Sequence, residues 1–214
     1  MGRVIFGVLL IFSAISVFNT VSADIIPHVE TISTQRYAPV FEWLNTNAKI
    51  DEVVYADGKL SSLIPTYTHN NVYFAREANL FFLPQEEIRQ RFLGAHYFDI
   101  TFTRDNILSV EREIFGVYYI DRYAHAISEN RIRKLFGLPL IFTERYSEDK
   151  INSLIRDMSE LQSSQFTEVA TPYRIDYFIW DKKENPDWNV DQKVSSIEML
   201  YESDGLVVYK YNEN

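Results

Sequence analysis

Asp57-Gly58 and Arg76-Glu77 stand where two short strand-forming runs end, 53–55 (VVY) and 72–75 (VYFA), and Ser61 follows the first within a turn. Ligands of open α/β sheets bind in the crevice beyond the carboxyl ends of the strands. An acid, a hydroxyl and an Arg-Glu pair placed there could hold a small polar ligand. Asp57 also has a purely structural reading, because an Asp before a helix caps its first turn. Asp121 and His125 are an i, i+4 pair that could share a ligand, but a metal site usually takes three or four donors, and simple polar pairing is the plainer reading. His96 and Asp99 flank two aromatics at i, i+3, and the same applies to them. Ser61-Ser62 has no nearby histidine except His69, and no G-x-S-x-G occurs, which argues against a serine hydrolase. The 7 glycines form neither a G-x-G-x-x-G nor a phosphate loop, so a nucleotide has no cradle. With no Cys, disulfides, thiolate-bound zinc, iron–sulfur clusters and a Cys nucleophile are excluded. Carboxylate-dependent hydrolysis is motivated only by the surplus of acids, with Asp57 and Glu77 its best candidates. No catalytic residue, metal site or cofactor is expected from these patterns.

The elements that position these residues are legible from periodicity. Residues 37–47 (YAPVFEWLNTN) set Val40, Phe41 and Leu44 on one face of a helix, with Trp43 beside them and asparagines as stop residues. Residues 52–57 (EVVYAD) read as a strand, 60–67 as a short helix with Leu60, Leu63 and Ile64 on one side, and 72–75 as a second strand after the Asn70-Asn71 turn. Two strands joined by a crossover helix form a βαβ unit with a parallel pair. Pro84-Gln85-Glu86-Glu87 opens a helix running through Ile88, Arg89 and Phe92 towards Gly94. Residues 117–136 hold further helical turns, with Gly137 as the stop. Ser147 caps the clearest helix, whose Ile151, Leu154, Ile155, Met158 and Leu161 make one apolar stripe. After Pro172, residues 173–180 (YRIDYFIW) alternate as a strand. Residues 196–201 and 206–211 then form a hairpin across Ser203-Asp204-Gly205 at the sheet edge. The expected fold class is therefore α/β: a small mixed sheet of about five strands with a βαβ start, a helical middle and a C-terminal antiparallel hairpin.

Ten aromatics fall between Phe92 and Phe142: Phe92, Tyr97, Phe98, Phe102, Phe115, Tyr118, Tyr119, Tyr123, Phe136 and Phe142. They read first as core between helices. The sharper reading is a surface resting on the bilayer interface or on a neighbouring membrane domain.

The 214 residues are 46% hydrophobic, 15% aromatic and 24% charged, enough for one ordinary domain with a core and too apolar for a disordered chain. Arg3 is the single ionisable side chain before Asp24, so residues 24–214 carry all 30 acids and the remaining 20 basic groups, a net of −10. Such a surface argues against a nucleic-acid partner. Residues 4–18 (VIFGVLLIFSAISVF) are apolar but for Gly7, Ser13 and Ser16, and span roughly 22 Å as a helix. Extension to Ala23 reaches about 30 Å, the thickness of a bilayer core. The segment 1–23 is either a cleaved signal, with Val21-Ser22-Ala23 as the cleavage site, or a retained transmembrane helix. Both place residues 24–214 outside the cytoplasm, since Arg3 stays on the near side.

Four stretches carry a resemblance: YAPVFEWLN (37–45) after a membrane segment, DEVVYADGKLSSLIPTYTHNNVYFA (51–75), PYRIDYFIWD (172–181) and IEMLYESDGLVVYKY (197–211). In this ordered series the chain resembles the soluble C-terminal domain of bacterial multi-pass membrane proteins of the GT-C glycosyltransferase superfamily and related membrane proteins. The resemblance implies a retained final helix, an extracytoplasmic α/β domain at the cell membrane and a multi-pass membrane partner on which it docks or which it regulates. It supplies no catalytic residues, because that superfamily's acidic side chains lie in a loop among many membrane helices with no counterpart here. Any lipid-linked-sugar transfer would use residues outside this chain, which then resembles the tail of a longer protein. The alternative is a secreted or periplasmic domain that binds a small ligand or glycan near Asp57, Ser61, Arg76 and Glu77.

Overall fold

The computed structural model describes residues 34–76, 83–99, 102–110, 114, 117–142, 148–170 and 172–212. The segment 1–23 and Glu77 lie outside the described residues. Among the described residues no helix is long and apolar enough to cross a membrane. The chain divides into two units at Pro39–Val40, and the α/β fold belongs to the second, Val40–Asn214.

Eight helices and five strands are described: α1 (Ala38–Asn47), β1 (Val53–Tyr55), α2 (Gly58–Tyr67), β2 (Asn71–Val72), α3 (Gln85–Ala95), α4 (Arg104–Ser109), α5 (Val117–Leu135), α6 (Glu148–Ser163), α7 (Phe166–Ala170), β3 (Tyr177–Asp181), α8 (Val190–Lys193), β4 (Ile197–Ser203) and β5 (Leu206–Tyr211). The sheet order is β2-β1-β3-β5-β4. β1 pairs in parallel with β2 and with β3, whereas β3–β5 and β5–β4 are antiparallel. The expected βαβ start and C-terminal hairpin are both present. The hairpin closes through Asp204 and Gly205, both at positive φ (50° and 80°), a combination that suits an Asp-Gly pair in a two-residue hairpin turn.

Two strands differ from the sequence reading. β2 is a two-residue ladder, because past Val72 the chain leaves the sheet edge. Residues 173–180 alternate in sequence, yet every residue of β3 is buried. The reason is its place at the centre of the sheet with layers on both faces, a position that asks for a continuously apolar strand.

On one face, Tyr55, Phe178, Trp180, Val207 and Tyr209 join the main core with Phe92, Phe98, Ile151, Met158 and Phe166 from the helices and the turn after α3 between β2 and β3. On the other, the Trp43 ring lies edge-on to Tyr177 at 5.9 Å, and Phe41 stacks on Tyr67 at 5.5 Å, which seats α1 beside α2. Asn45 fastens the two helices by donating from Nδ2 to the Tyr67 carbonyl at 2.9 Å. The stripe read on α6 is the core face of that helix: Ile151, Leu154 and Met158 are buried. Three short helices were not anticipated. Of these, α4 carries a Thr103/Asn106 capping box, a start signal visible in the sequence as Thr103-Arg104-Asp105-Asn106.

The aromatic series divides. Phe92, Tyr97 and Phe98 are buried, as the core reading expects, while Phe136 and Phe142 are exposed. Gly137 sits at φ 65° just beyond α5, the left-handed stop expected of it. Tyr55 reaches through the core so that its hydroxyl lies 2.8 Å from the Gly94 carbonyl and 2.9 Å from that of Ala95, covering the carboxyl end of α3. Gly94 is needed there, because a Cβ would lie 2.2 Å from the Tyr73 hydroxyl.

Candidate functional site

β1, β2 and β3 run parallel, so their carboxyl ends open on one side of the sheet. Two aspartates end two of these strands, and each turns the chain by accepting main-chain N–H groups. Asp57 Oδ1 accepts from Lys59 N and Leu60 N, both at 2.9 Å, and thereby caps α2. Asp181 is fully buried, and its Oδ1 accepts from Lys183 N at 3.0 Å and Glu184 N at 3.2 Å. That turn delivers Asn185, whose Nδ2 donates to Asp57 Oδ2 at 3.1 Å. Residues 128 positions apart are thus locked together at the strand ends.

Burial raises the Asp57 carboxyl above its ordinary value of 3.8, and the negative charges of Asp181 and Glu184 add to the effect against the two cap hydrogen bonds. The folded state therefore holds the Asp57 proton more tightly than the unfolded chain. This contribution makes stability fall as pH rises from the ordinary carboxylate value through the folded one, and it is constant above. Asp57→Asn keeps an acceptor for the cap and removes the charge, and the Asn185 amide can turn over to accept from it. Urea midpoints measured from about pH 4 to 7 should show a smaller loss of stability with rising pH in the variant than in the parent chain. An identical slope in the two proteins would refute the assignment.

Ser61 is buried and donates its hydroxyl to the Ala56 carbonyl at 3.0 Å, tying α2 back to β1. Arg76 is exposed in the segment that follows β2. Of the sequence candidates, Asp57 is bonded to Asn185 and feels the charges of Asp181 and Glu184, three residues that the sequence candidates do not include. The signal for Asp181 is an acid at the end of an apolar run (YFIWD), as Asp57 is in VVYAD. It becomes informative only once β3 is known to lie parallel to β1.

A second arm reaches the same place from α3. His96 Nδ1 lies 2.6 Å from Asp99 Oδ2, and Trp188 Nε1 donates to Asp99 Oδ1 at 3.1 Å. Asp99 thus orients both rings. Beside it opens a cavity of about 250 Å³ lined by Phe98, Asp99, Asn106, Glu184, Asn185 and Trp188 among others. Asn185 joins the two arms, since it lines the cavity and grips Asp57. Larger cavities of about 410 Å³ beside Arg89 and Ser153 and about 480 Å³ beside Phe166 and Lys193 are not lined by Asn185, and Asp57 and Asp181 line none of the three, meeting the smaller one only through Asn185 and Glu184. The first of them is crossed by Arg89, which pairs with Asp157 and donates to Ser153.

The other polar candidates are occupied locally. His69 Nε2 lies 3.0 Å from the Ala48 carbonyl, Ser62 donates to the Gly58 carbonyl at 3.1 Å, and the exposed His125 faces Glu129 at 3.8 Å. Among the described residues no group of three or more His, Asp or Glu side chains could hold a metal ion.

Fold and site together define a mixed α/β domain with a carboxylate- and amide-lined crevice at the parallel end of its sheet. Compared with protein-family models, with curated proteins and with solved structures, the chain matches none.

Proposed function

We propose that this chain is a binding domain, without catalysis of its own, whose crevice at the ends of β1 and β3 takes a small neutral polyhydroxylated ligand of the glycan class. The observation that carries the reading is the composition of the cavity: Asp99 and Glu184 offer acceptors for hydroxyl groups, Asn106 and Asn185 offer both donors and acceptors, and Trp188 and Phe98 back them with rings. A few placed polar groups on an aromatic floor is the usual make-up of a small-ligand site. Carboxylates converging there, in a chain of net charge −9, disfavour anionic ligands such as phosphates. The sequence resemblance supports the setting. Residues 4–23 would tether the domain to the cell membrane on the extracytoplasmic side, next to a multi-pass glycosyltransferase-like protein that it serves as a docking or regulatory element.

The test is a thermal-shift screen of the detergent-solubilised full chain against neutral mono- and oligosaccharides. At a hundredfold excess over the dissociation constant a ligand stabilises by about 2.7 kcal/mol, which raises Tm by roughly 5–10 °C in a chain of this size. Asn106→Ala with Glu184→Gln, both on exposed side chains, should abolish the shift, while loss of the Asn106 half of the α4 capping box costs the unliganded chain about 1 kcal/mol, a few degrees in Tm. No stabilisation by any sugar, or a shift that survives the double substitution, would overturn the reading.

A further inference from the structure

The end of α5 and the segment after it break the usual rule for soluble surfaces. Leu135 is 83% and Phe142 88% exposed, and Ile132, Phe136, Leu138 and Leu140 are each more than half exposed. Six large apolar side chains within eleven residues, all facing solvent, are an interaction surface rather than scattered exposure. In the same stretch, residues 130–142 (NRIRKLFGLPLIF), Arg131, Arg133 and Lys134 are the charged residues and no acid occurs, although the whole chain carries 30 acids against 21 basic groups.

The segment is also held in shape. Asn130 accepts from Ile141 N through Oδ1 and donates from Nδ2 to the Ile141 carbonyl, both at 2.7 Å. Arg133 donates from Nη1 to the Pro139 carbonyl at 3.0 Å, and Leu138 N donates to the Arg133 carbonyl at 2.9 Å around Gly137. Glu129 in turn holds the Arg133 guanidinium at 2.9 Å. Pro139 has no N–H to satisfy. The loop therefore presents hydrocarbon outward while several of its main-chain polar groups are bonded within the protein. That is what insertion into a medium without water requires, since each unsatisfied polar group there costs several kcal/mol.

We infer that the knob formed by residues 131–142 docks on an anionic lipid bilayer, with Leu135, Phe136, Leu138, Leu140 and Phe142 entering the interface and Arg131 and Lys134 facing the headgroups. A basic flank beside Leu and Phe is the composition of interfacial anchors, and anionic headgroups complement it where a neutral surface would not. The inference goes beyond the crevice reading and does not depend on residues 4–23 being retained.

The chain lacks Cys, so a single introduced thiol reports one place. Leu140→Cys, Phe142→Cys and, as a control on β4, Glu198→Cys are made in the full chain, labelled with an environment-sensitive fluorophore and mixed with phosphatidylcholine vesicles with or without phosphatidylglycerol. At 140 and 142 the label should shift to the blue and resist iodide quenching in the anionic vesicles only, while the label at 198 stays accessible in both. Tethering through the first residues would bring both regions to the vesicle, so it cannot by itself produce that difference. Arg131→Gln with Lys134→Gln should shift the docked population roughly fivefold per charge towards the accessible state. A label at 140 that stays accessible in anionic vesicles overturns the inference, as does equal protection in neutral ones. Protection without lipid, which marks a second copy, or only in native membranes, which marks a protein partner, overturns it as well.

Discussion

Replacing Phe166 with Ala lowers the unfolding free energy by about 3–5 kcal/mol, a large part of the roughly 5–15 kcal/mol that holds a domain folded. Phe166 is 1% exposed and opens α7. Its ring stacks on Phe98 at 5.2 Å and meets Tyr55, Tyr97 and Phe178 edge-on at 5.6, 5.1 and 5.2 Å. Those four rings come from β1, from the turn after α3 and from β3, so a cavity at their centre cannot collapse without moving the sheet against the helices. The cost therefore includes the void as well as the lost transfer free energy. Phe142→Ala removes the same group from a side chain that is largely exposed, and should change stability by no more than about 0.5 kcal/mol. Chemical denaturation followed by far-UV circular dichroism separates the two. A loss below about 1 kcal/mol for Phe166→Ala would show that the core is loosely packed there.

Lys210→Met should cost about 2–3 kcal/mol at neutral pH, and the cost should shrink in acid. Glu52 lies just before β1 and is buried, with Oε2 accepting from Lys49 N at 2.6 Å and Oε1 from Lys210 Nζ at 3.1 Å. Lys210 on β5 also lies over the Tyr177 ring at 4.0 Å, so the pair bridges 158 positions of sequence across the central strand. Burial by itself would raise the Glu52 carboxyl, but the Lys49 N–H and the Lys210 ammonium outweigh it and hold the group below its ordinary 4.5. Burial would likewise lower Lys210, and Glu52 with Tyr177 holds it above 10.5 instead. The contribution of Glu52 is present above its unfolded value and is lost as pH falls through the folded one. That of Lys210 is present below its unfolded value and is lost as pH rises through the folded one. The pair is therefore intact across neutral pH. Without Lys210 the buried carboxylate keeps the Lys49 N–H and the Tyr177 hydroxyl but loses its cation, so its pKa moves up and protonation relieves the variant in acid. Urea denaturation at about pH 7 and pH 4 tests this, and an equal cost at both values would contradict it. Glu52→Gln should cost less, because the partly exposed Lys210 can turn to water.

The elements most legible in the sequence were those defined by neighbours in the chain. The α6 stripe, the cap at Asp57, the stop at Gly137 and the Asp-Gly hairpin each depend on residues within a few positions of one another, and all are present. Position in the sheet was not legible. The strand at 177–181 reads as half-buried, yet it is the central strand, because the parallel bond to β1 spans more than a hundred residues and has no local signature. The candidate site followed the same division. Asp57 was visible as an acid ending a strand, whereas Asp181 and Asn185 gain their meaning only from lying beside it. The exposed knob was hidden for a similar reason, since Phe92 and Phe142 are equally apolar in sequence and only packing separates one from the other.

The sequence alone determined the class of fold, the order of its strands and longer helices, the turn chemistry and the acidic balance, because these follow from side-chain period, backbone preference and charge, which are local or additive. The tertiary structure decided which strand lies at the centre, which acids share a crevice and which aromatics face outward. Those follow from contacts between distant segments, whose free energy depends on what the rest of the chain places opposite them.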